Sequence, residues 1–173
     1  MFIDKVNDIK YLVLDDLYDY LEDSTKLVIE GGQWSDITHI KDSLKKSIYC
    51  VLAIHSNKVV GIVAVKKKVN FKNIIYSIIG LLSVSVKFRK LGIASNLIKM
   101  ANDSSIKYNI DLLVATINPK NSASIKTFSN LKYNYWGDWY YSPNFYEKLY
   151  YKKLSSKNND FVIEILNKII KNK

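Results

Sequence analysis

Residues 88–95, F-R-K-L-G-I-A-S, place the chain's only arginine, Arg89, among 26 lysines and arginines, three positions before a glycine that opens an amphipathic run. A β-rich stretch at 74–86 precedes this segment. When a strand runs straight into a helix, the first helical N–H groups have no internal acceptor, and the positive end of the helix dipole faces the gap. Such a turn attracts phosphate. Gly92 lets the backbone approach a pyrophosphate closely, Ala94 and Ser95 leave room, and Arg89 and Lys90 add positive charge. Taken alone, R-x-x-G-x-A also reads as a basic, solvated turn with a helix-initiating glycine.

Other reactive side chains are few. His39, His55 and Cys50 offer no metal-ligand spacing, so no metal site is expected. Cys50, inside I-Y-C-V-L-A-I, reads as an inert core residue. One cysteine forms no internal disulfide, which suits a reducing compartment. His55 falls in a hairpin turn and is expected to be solvated and remote from the basic turn.

The elements that must position these residues follow from periodicity. Ile9, Leu12, Val13, Leu17 and Leu21 predict a helix over 6–22, and Ser35 is a candidate N-cap for a second, short helix ending near Ser47. Residues 47–54 and 58–68 are β-rich runs flanking H-S-N-K, a hairpin signal, and 74–86 is a third strand. Ile93, Leu97, Ile98 and Ala101 recur at helical spacing from Gly92 to Lys107, and D-L-L-V-A-T-I at 111–117 reads as a buried strand. Pro119 then stands near a helix start, with Ile125, Phe128 and Leu131 on one face. A strand pair at 133–154 and a helix at 160–173 complete the order ααβββαβαββα. This is an α/β chain of the α+β kind: a mixed central sheet with helices on both faces and a β-α-β crossover in its middle.

At 173 residues the chain is expected to form one domain over 1–173. The longest apolar run, 74–86, is too short to cross a bilayer as a helix. The N-terminus lacks the basic and apolar regions of a secretory signal, which leads to a cytoplasmic expectation. The net charge is +10, yet residues 1–30 hold three lysines against eight acidic residues, so the basic excess lies entirely beyond them. An anionic partner follows, either nucleic acid or a small polyanionic cofactor.

With its preceding strand, Arg89-Lys90-Leu91-Gly92-Ile93-Ala94 resembles the [R/Q]-x-x-G-x-[G/A] turn of the GNAT superfamily of N-acetyltransferases. A second match follows about thirty residues later, where Asn121, Ser124 and Phe128 fit N-x-x-[A/S]-x-x-x-[Y/F] on a helix. The resemblance covers roughly 48–154 on element order. It implies acetyl-CoA as cofactor, bound in a splay between the strand ending near Val86 and the strand at 111–117. Backbone groups of Val84 and Val86 would pair with the pantetheine arm like an added strand. The N–H groups from Leu91 through Gly92, Ile93 and Ala94 to Ser95 would hold the pyrophosphate. Asn118, Asn121, Ser124 and Phe128 complete the cofactor set; helix capping is an alternative role for Asn121.

Acetyl transfer to an amine needs a base for the amine proton, donors at the carbonyl oxygen and a route for protonating the thiolate. Many relatives carry a glutamate on the fourth strand, but 74–86 holds no acid. Many carry a tyrosine where Phe128 stands, and Lys132-Tyr133 replaces a glycine-phenylalanine pair. Glu30, Asp36 and His39, in the region that lines the acceptor site in relatives, and Asp138, Tyr140 and Tyr141 in the last strand pair are the candidate substitutes. The aromatic segment 133–146 suits an acceptor wall, a homodimer surface or a core.

The leading expectation is transfer of acetyl to a primary amine of a small metabolite or amino sugar by direct attack. Acetylation of a protein N-terminus or of charged tRNA is the second, the latter because S-P-N-F-Y-E-K-L-Y-Y looks like the C-terminal strand of tRNA-directed toxins in the family. A module that binds CoA or nucleic acid without catalysis is the third.

Overall fold

Alternating β-branched runs and amphipathic periods become strands β1 (Lys10–Leu14), β2 (Tyr49–His55), β3 (Lys58–Val65), β4 (Val69–Phe71), β5 (Ile74–Val84), β6 (Leu112–Ile117), β7 (Asn134–Ser142) and β8 (Phe145–Lys153). The helices are α1 (Leu21–Glu30), α2 (Ile37–Lys45), α3 (Ile93–Lys107), α4 (Ser122–Asn130) and α5 (Asn159–Lys171). The structure, a computed structural model, describes residues 8–32, 36–142, 144–157 and 159–171. These elements fall into two compact units, Met1–Lys67 with Gly80–Ser104 and Lys68–Ile79 with Ser105–Lys173; β5 and α3 run through both. Pairing in the first follows the order β1-β2-β3-β5, and in the second β5-β6-β8-β7 with β4 on β5. The mixed sheet and its parallel β5–α3–β6 crossover are as expected.

In the first unit, β1 to β3 form an antiparallel meander. The β2–β3 turn places Ser56 and Asn57 at φ 48° and 60°, a left-handed pair that asparagine tolerates. Val28, Ile40 and Leu44 of α1 and α2 bury their faces with Leu52, Ile62 and Leu81. Gly61 is where α3 comes close: an added Cβ would stand 2.9 Å from Ile93 Cγ2 and 3.0 Å from Leu97 Cδ1. The buried Tyr49 hydroxyl donates to the Ala101 carbonyl at 2.6 Å, fixing α3 to β2.

One expected helix is replaced. Within 6–22 the described residues form strand β1, a 3-10 turn at Tyr18–Tyr20 and the first residues of α1. Y-L-V-L suits a pleated strand as well as a helix, and pairing of Lys10–Leu14 with Cys50–Ile54 decides it. Leu12 and Leu14, two apart, then share one face against the core. Ser35 lies outside the described residues; the cap of α2 is Asp36, whose carboxylate accepts the His39 N–H at 3.0 Å. The short β4 was not expected, because its lysine-rich surroundings carry little apolar signal.

In the second unit, α5 lays Val162, Ile165 and Leu166 on Ile74, Leu112, Val114 and Leu149. Asp111 pins the start of β6: its carboxylate accepts the Ile75 N–H at 2.8 Å and the Lys157 ammonium at 2.8 Å. Burial pushes this carboxyl up, but Lys157 and the Ile75 amide outweigh it and hold it below the usual aspartate range. At the end of α4, Tyr133 N–H donates to the Phe128 carbonyl at 3.1 Å and Lys132 N–H to Ser129 at 3.0 Å, with Lys132 at φ 64°. This is a Schellman ending. Its apolar clasp is the edge-on contact of Phe128 and Tyr133, ring centroids 4.9 Å apart.

Two outcomes are expected. Lys132→Gly relieves a left-handed side-chain penalty and raises stability by about 1 kcal/mol, read from denaturant midpoints. Asp111→Ala lowers stability at neutral pH by roughly 1–3 kcal/mol. A lowered carboxyl pKa contributes stability above the ordinary aspartate value and loses it as pH falls through the native value, so the variant's stability changes less from about pH 4 to pH 2.

Candidate functional site

In the first unit the basic turn has the geometry that its sequence demands. β5 departs from regular strand geometry at Leu81, φ 51°, and ends at Val84. Val86, expected as strand, begins a 3-10 turn through Phe88, because Phe88 N–H closes onto the Ser85 carbonyl at 2.8 Å and Arg89 N–H onto Val86 at 3.3 Å. Val86 is 68% exposed. The Arg89 Nε–H turns back to the Val84 carbonyl at 3.1 Å. This bond holds the guanidinium over the strand end and leaves its other N–H groups free to donate.

Lys90 and Gly92 then take φ 64° and 77°. A Cβ at Gly92 would meet nothing within 4 Å, so the glycine answers a backbone requirement, not crowding. Helix α3 opens with Asn96 N–H bonding the Gly92 carbonyl at 3.1 Å. The N–H groups of Ile93, Ala94 and Ser95 therefore precede the first intrahelical bond, and Leu91 and Gly92 lead into them. The turn presents backbone donors, a helix dipole and two cations to one anion. His55 is not remote from it: its half-buried ring stands 5.0 Å from the Phe88 ring, because the β2–β3 turn lies beside the end of β5.

Glu30 ends α1 and His39 lies in the first turn of α2, both exposed. Cys50 is buried, and burial pushes its thiol up to about 12. A thiol so protonated carries no acyl group at neutral pH.

In the second unit, Asn118 and Asn121 organise the start of α4. The Asn118 side chain accepts the Lys120 N–H at 2.9 Å, and Asn121 Oδ1 accepts the Ser124 N–H at 3.1 Å, the capping role foreseen for it. The Asn121 amide nitrogen is left as a donor. Phe128 is buried against Tyr133.

Tyr140 and Tyr141 take opposite faces of β7, as strand alternation requires. Tyr140 stacks on Tyr146 at 5.2 Å, on the side where the Asp138 carboxylate accepts from Tyr135 at 2.6 Å and stands 3.8 Å from the Lys148 ammonium. That hydrogen bond to Asp138 pushes the Tyr135 hydroxyl up to about 12. Tyr141 faces Trp139 and Phe145, at 4.6 and 5.2 Å between centroids, and donates to Glu147 at 2.9 Å. Burial and then the Glu147 carboxylate raise its pKa, against a smaller opposing effect of Thr116. Tyr141 is thereby a held donor and a poor acid. Trp139 and Phe145 belong to the aromatic segment 133–146 expected as an acceptor wall, a dimer surface or a core, whereas Glu147 went unnoticed, although F-x-E at period two was the signal.

Gly92→Ala is expected to lower stability by roughly 1–2 kcal/mol through backbone strain alone, and Lys90→Gly to raise it by about 1 kcal/mol, both read from denaturant midpoints. Cys50 stays unreactive toward thiol reagents until the chain unfolds, which a native-against-denatured labelling time course checks.

Comparison with known proteins agrees with this geometry. A family model described as an acetyltransferase (GNAT) domain matches residues 31–129. No curated protein matches the sequence. Among solved structures, the chain is similar to one from the NatC complex bound to Gag peptide and CoA, with TM-score 0.73 and 20% identity over 86% of this chain and 99% of that one. A putative GNAT acetyltransferase from Desulfovibrio desulfuricans gives TM-score 0.71 and 9% identity over 85% and 99%. The ribosomal-protein-S18-alanine N-acetyltransferase of Escherichia coli gives TM-score 0.69 and 13% identity over 87% and 98%. With a basic, glycine-turned helix start after a strand, a parallel crossover and a family model matching more than half its length, the chain belongs to the GNAT acetyltransferases, whose acetyl donor is acetyl-CoA.

Proposed function

We propose that this N-acetyltransferase acts on the primary amine of a small metabolite or amino sugar by direct attack. The observation that carries the acetyl-CoA-dependent transfer in this reading is the turn at Arg89–Ser95, where Gly92 at φ 77° opens a run of unspent N–H donors with empty space above its Cα. The residues fit the cofactor's anionic end. The N–H groups of Leu91, Gly92, Ile93, Ala94 and Ser95 hold the pyrophosphate, with Arg89 and Lys90 neutralising its charge. Backbone groups of Val84 and Val86 serve the pantetheine. Asn118, Asn121 and Ser124, in the second unit, are cofactor-binding candidates by the family resemblance. Phe128 supports that helix from the core. Acetyl-CoA, when bound, supplies a thioester reactive toward amines.

The protonated, buried Cys50 supports direct attack over an acetyl-cysteine route. Tyr140, Tyr141, Glu30 and His39 are the candidates for proton transfer. Of these, Tyr141, held as a donor to Glu147, is suited to orienting a polar group. Gly92→Ala is expected to weaken acetyl-CoA binding about tenfold by calorimetry, through lost approach and backbone strain. Wild-type protein releases CoA thiol when offered a panel of small primary amines. Tight acetyl-CoA binding with no thiol release across that panel would sink the small-amine reading.

A second reading, acetylation of a protein N-terminus, is supported by the likeness to the NatC structure with its peptide and to the enzyme acting on ribosomal protein S18. A peptide panel run beside the amine panel separates the two. Turnover confined to peptides selects this second reading.

A further inference from the structure

Trp139, Tyr141 and Phe145 turn their rings to one side of the β7–β8 ribbon, at 4.6 and 5.2 Å between successive centroids. Tyr141 is 45% and Phe145 51% exposed, so part of their ring surface faces solvent. Glu147, opposite Trp139 in the register, stands in the same cluster. Its Oε2 accepts the Tyr141 hydroxyl at 2.9 Å. Among the described residues no lysine, arginine or histidine is within ion-pair distance of Glu147. The opposite face differs, since Asp138 already has Lys148. The Trp139 indole N–H is buried and has no acceptor among the described residues.

Aromatic rings beside a tethered carboxylate are the parts from which a receptor for an organic cation is built. The ring faces attract the charge, the carboxylate neutralises it, and the Tyr141 hydroxyl fixes the carboxylate so that little freedom is lost on binding. We propose that Trp139, Tyr141, Phe145 and Glu147 bind an alkylammonium group of the acceptor. The site rests on the acetyltransferase reading and narrows it. A nitrogen held in such surroundings is stabilised in its charged form and is no nucleophile. The nitrogen that takes the acetyl group is therefore a different one, and the acceptor belongs to the aliphatic diamines or to amines bearing a second positive centre.

Tetramethylammonium, which has no nitrogen to acetylate, tests the site without any turnover. Added to the full chain, it is expected to shift the indole N–H resonance of Trp139, assigned from Trp139→Phe, with saturation. Glu147→Gln weakens this binding about tenfold, and Tyr141→Phe weakens it less, since the ring remains while the tether goes. In thiol-release assays the kcat/KM ratio of a linear diamine to the monoamine of equal length exceeds unity and falls about tenfold in Glu147→Gln. An unmoved Trp139 resonance, or equal cation affinity in wild type and Glu147→Gln, overturns the site even where monoamines are acetylated. Saturable cation binding that responds to Glu147→Gln without acetylation of any amine upholds the cation site and removes the small-amine reading instead.

Discussion

An α-helix cannot satisfy its own first N–H groups, and in this chain that deficit is placed where it is useful. The start of α3 follows a strand end after a turn that uses two left-handed residues, Lys90 and Gly92. The Arg89 side chain is tied back to Val84, so the cation beside those donors belongs to the same local structure as the donors themselves. Charge, dipole and backbone direction thus coincide over a few residues. Close packing under α3 preserves this arrangement: Gly61 admits Ile93 and Leu97 near β3, and Tyr49 anchors the helix at Ala101.

The second unit is built on another local solution. Asp111 joins the start of β6 to Ile75 of β5 and to Lys157 beyond β8. From that anchored base the β7–β8 ribbon extends with aromatic residues on both faces. Alternation sorts them into two chemically different sides: Tyr135, Tyr140 and Tyr146 accompany an Asp138–Lys148 pair, while Trp139, Tyr141 and Phe145 accompany Glu147, which has no ion-pair partner among the described residues. The departures from the family's common residues have physical consequences here. Lys132 adopts the left-handed ending that glycine would take more easily, and Phe128 contributes packing against Tyr133 where a tyrosine hydroxyl is frequent.

Much of the fold was legible because local chemistry and tertiary structure agree. Turn residues at Ser56–Asn57, the apolar period of α3 and the motif at Arg89–Ala94 each specify their conformation within a few residues. The first helix was misread because Y-L-V-L satisfies two periods, and the pairing partner that chooses between them lies some forty residues away at Cys50–Ile54. His55 was misplaced for a related reason: its ring contact with Phe88 depends on neighbouring strands, and spacing along the chain carries no trace of it.

The donor turn, the capping of α4 by Asn121 and the family are written in residue order, since they reside in short-range backbone geometry and residue type. Which side chains face one another across β7 and β8 emerges in the folded chain alone, as does the burial that, with the Glu147 carboxylate after it, raises the proton affinity of Tyr141. Register is the physical reason. A one-residue slip would send Trp139 and Tyr141 to the other face, and only cross-strand pairing forbids it.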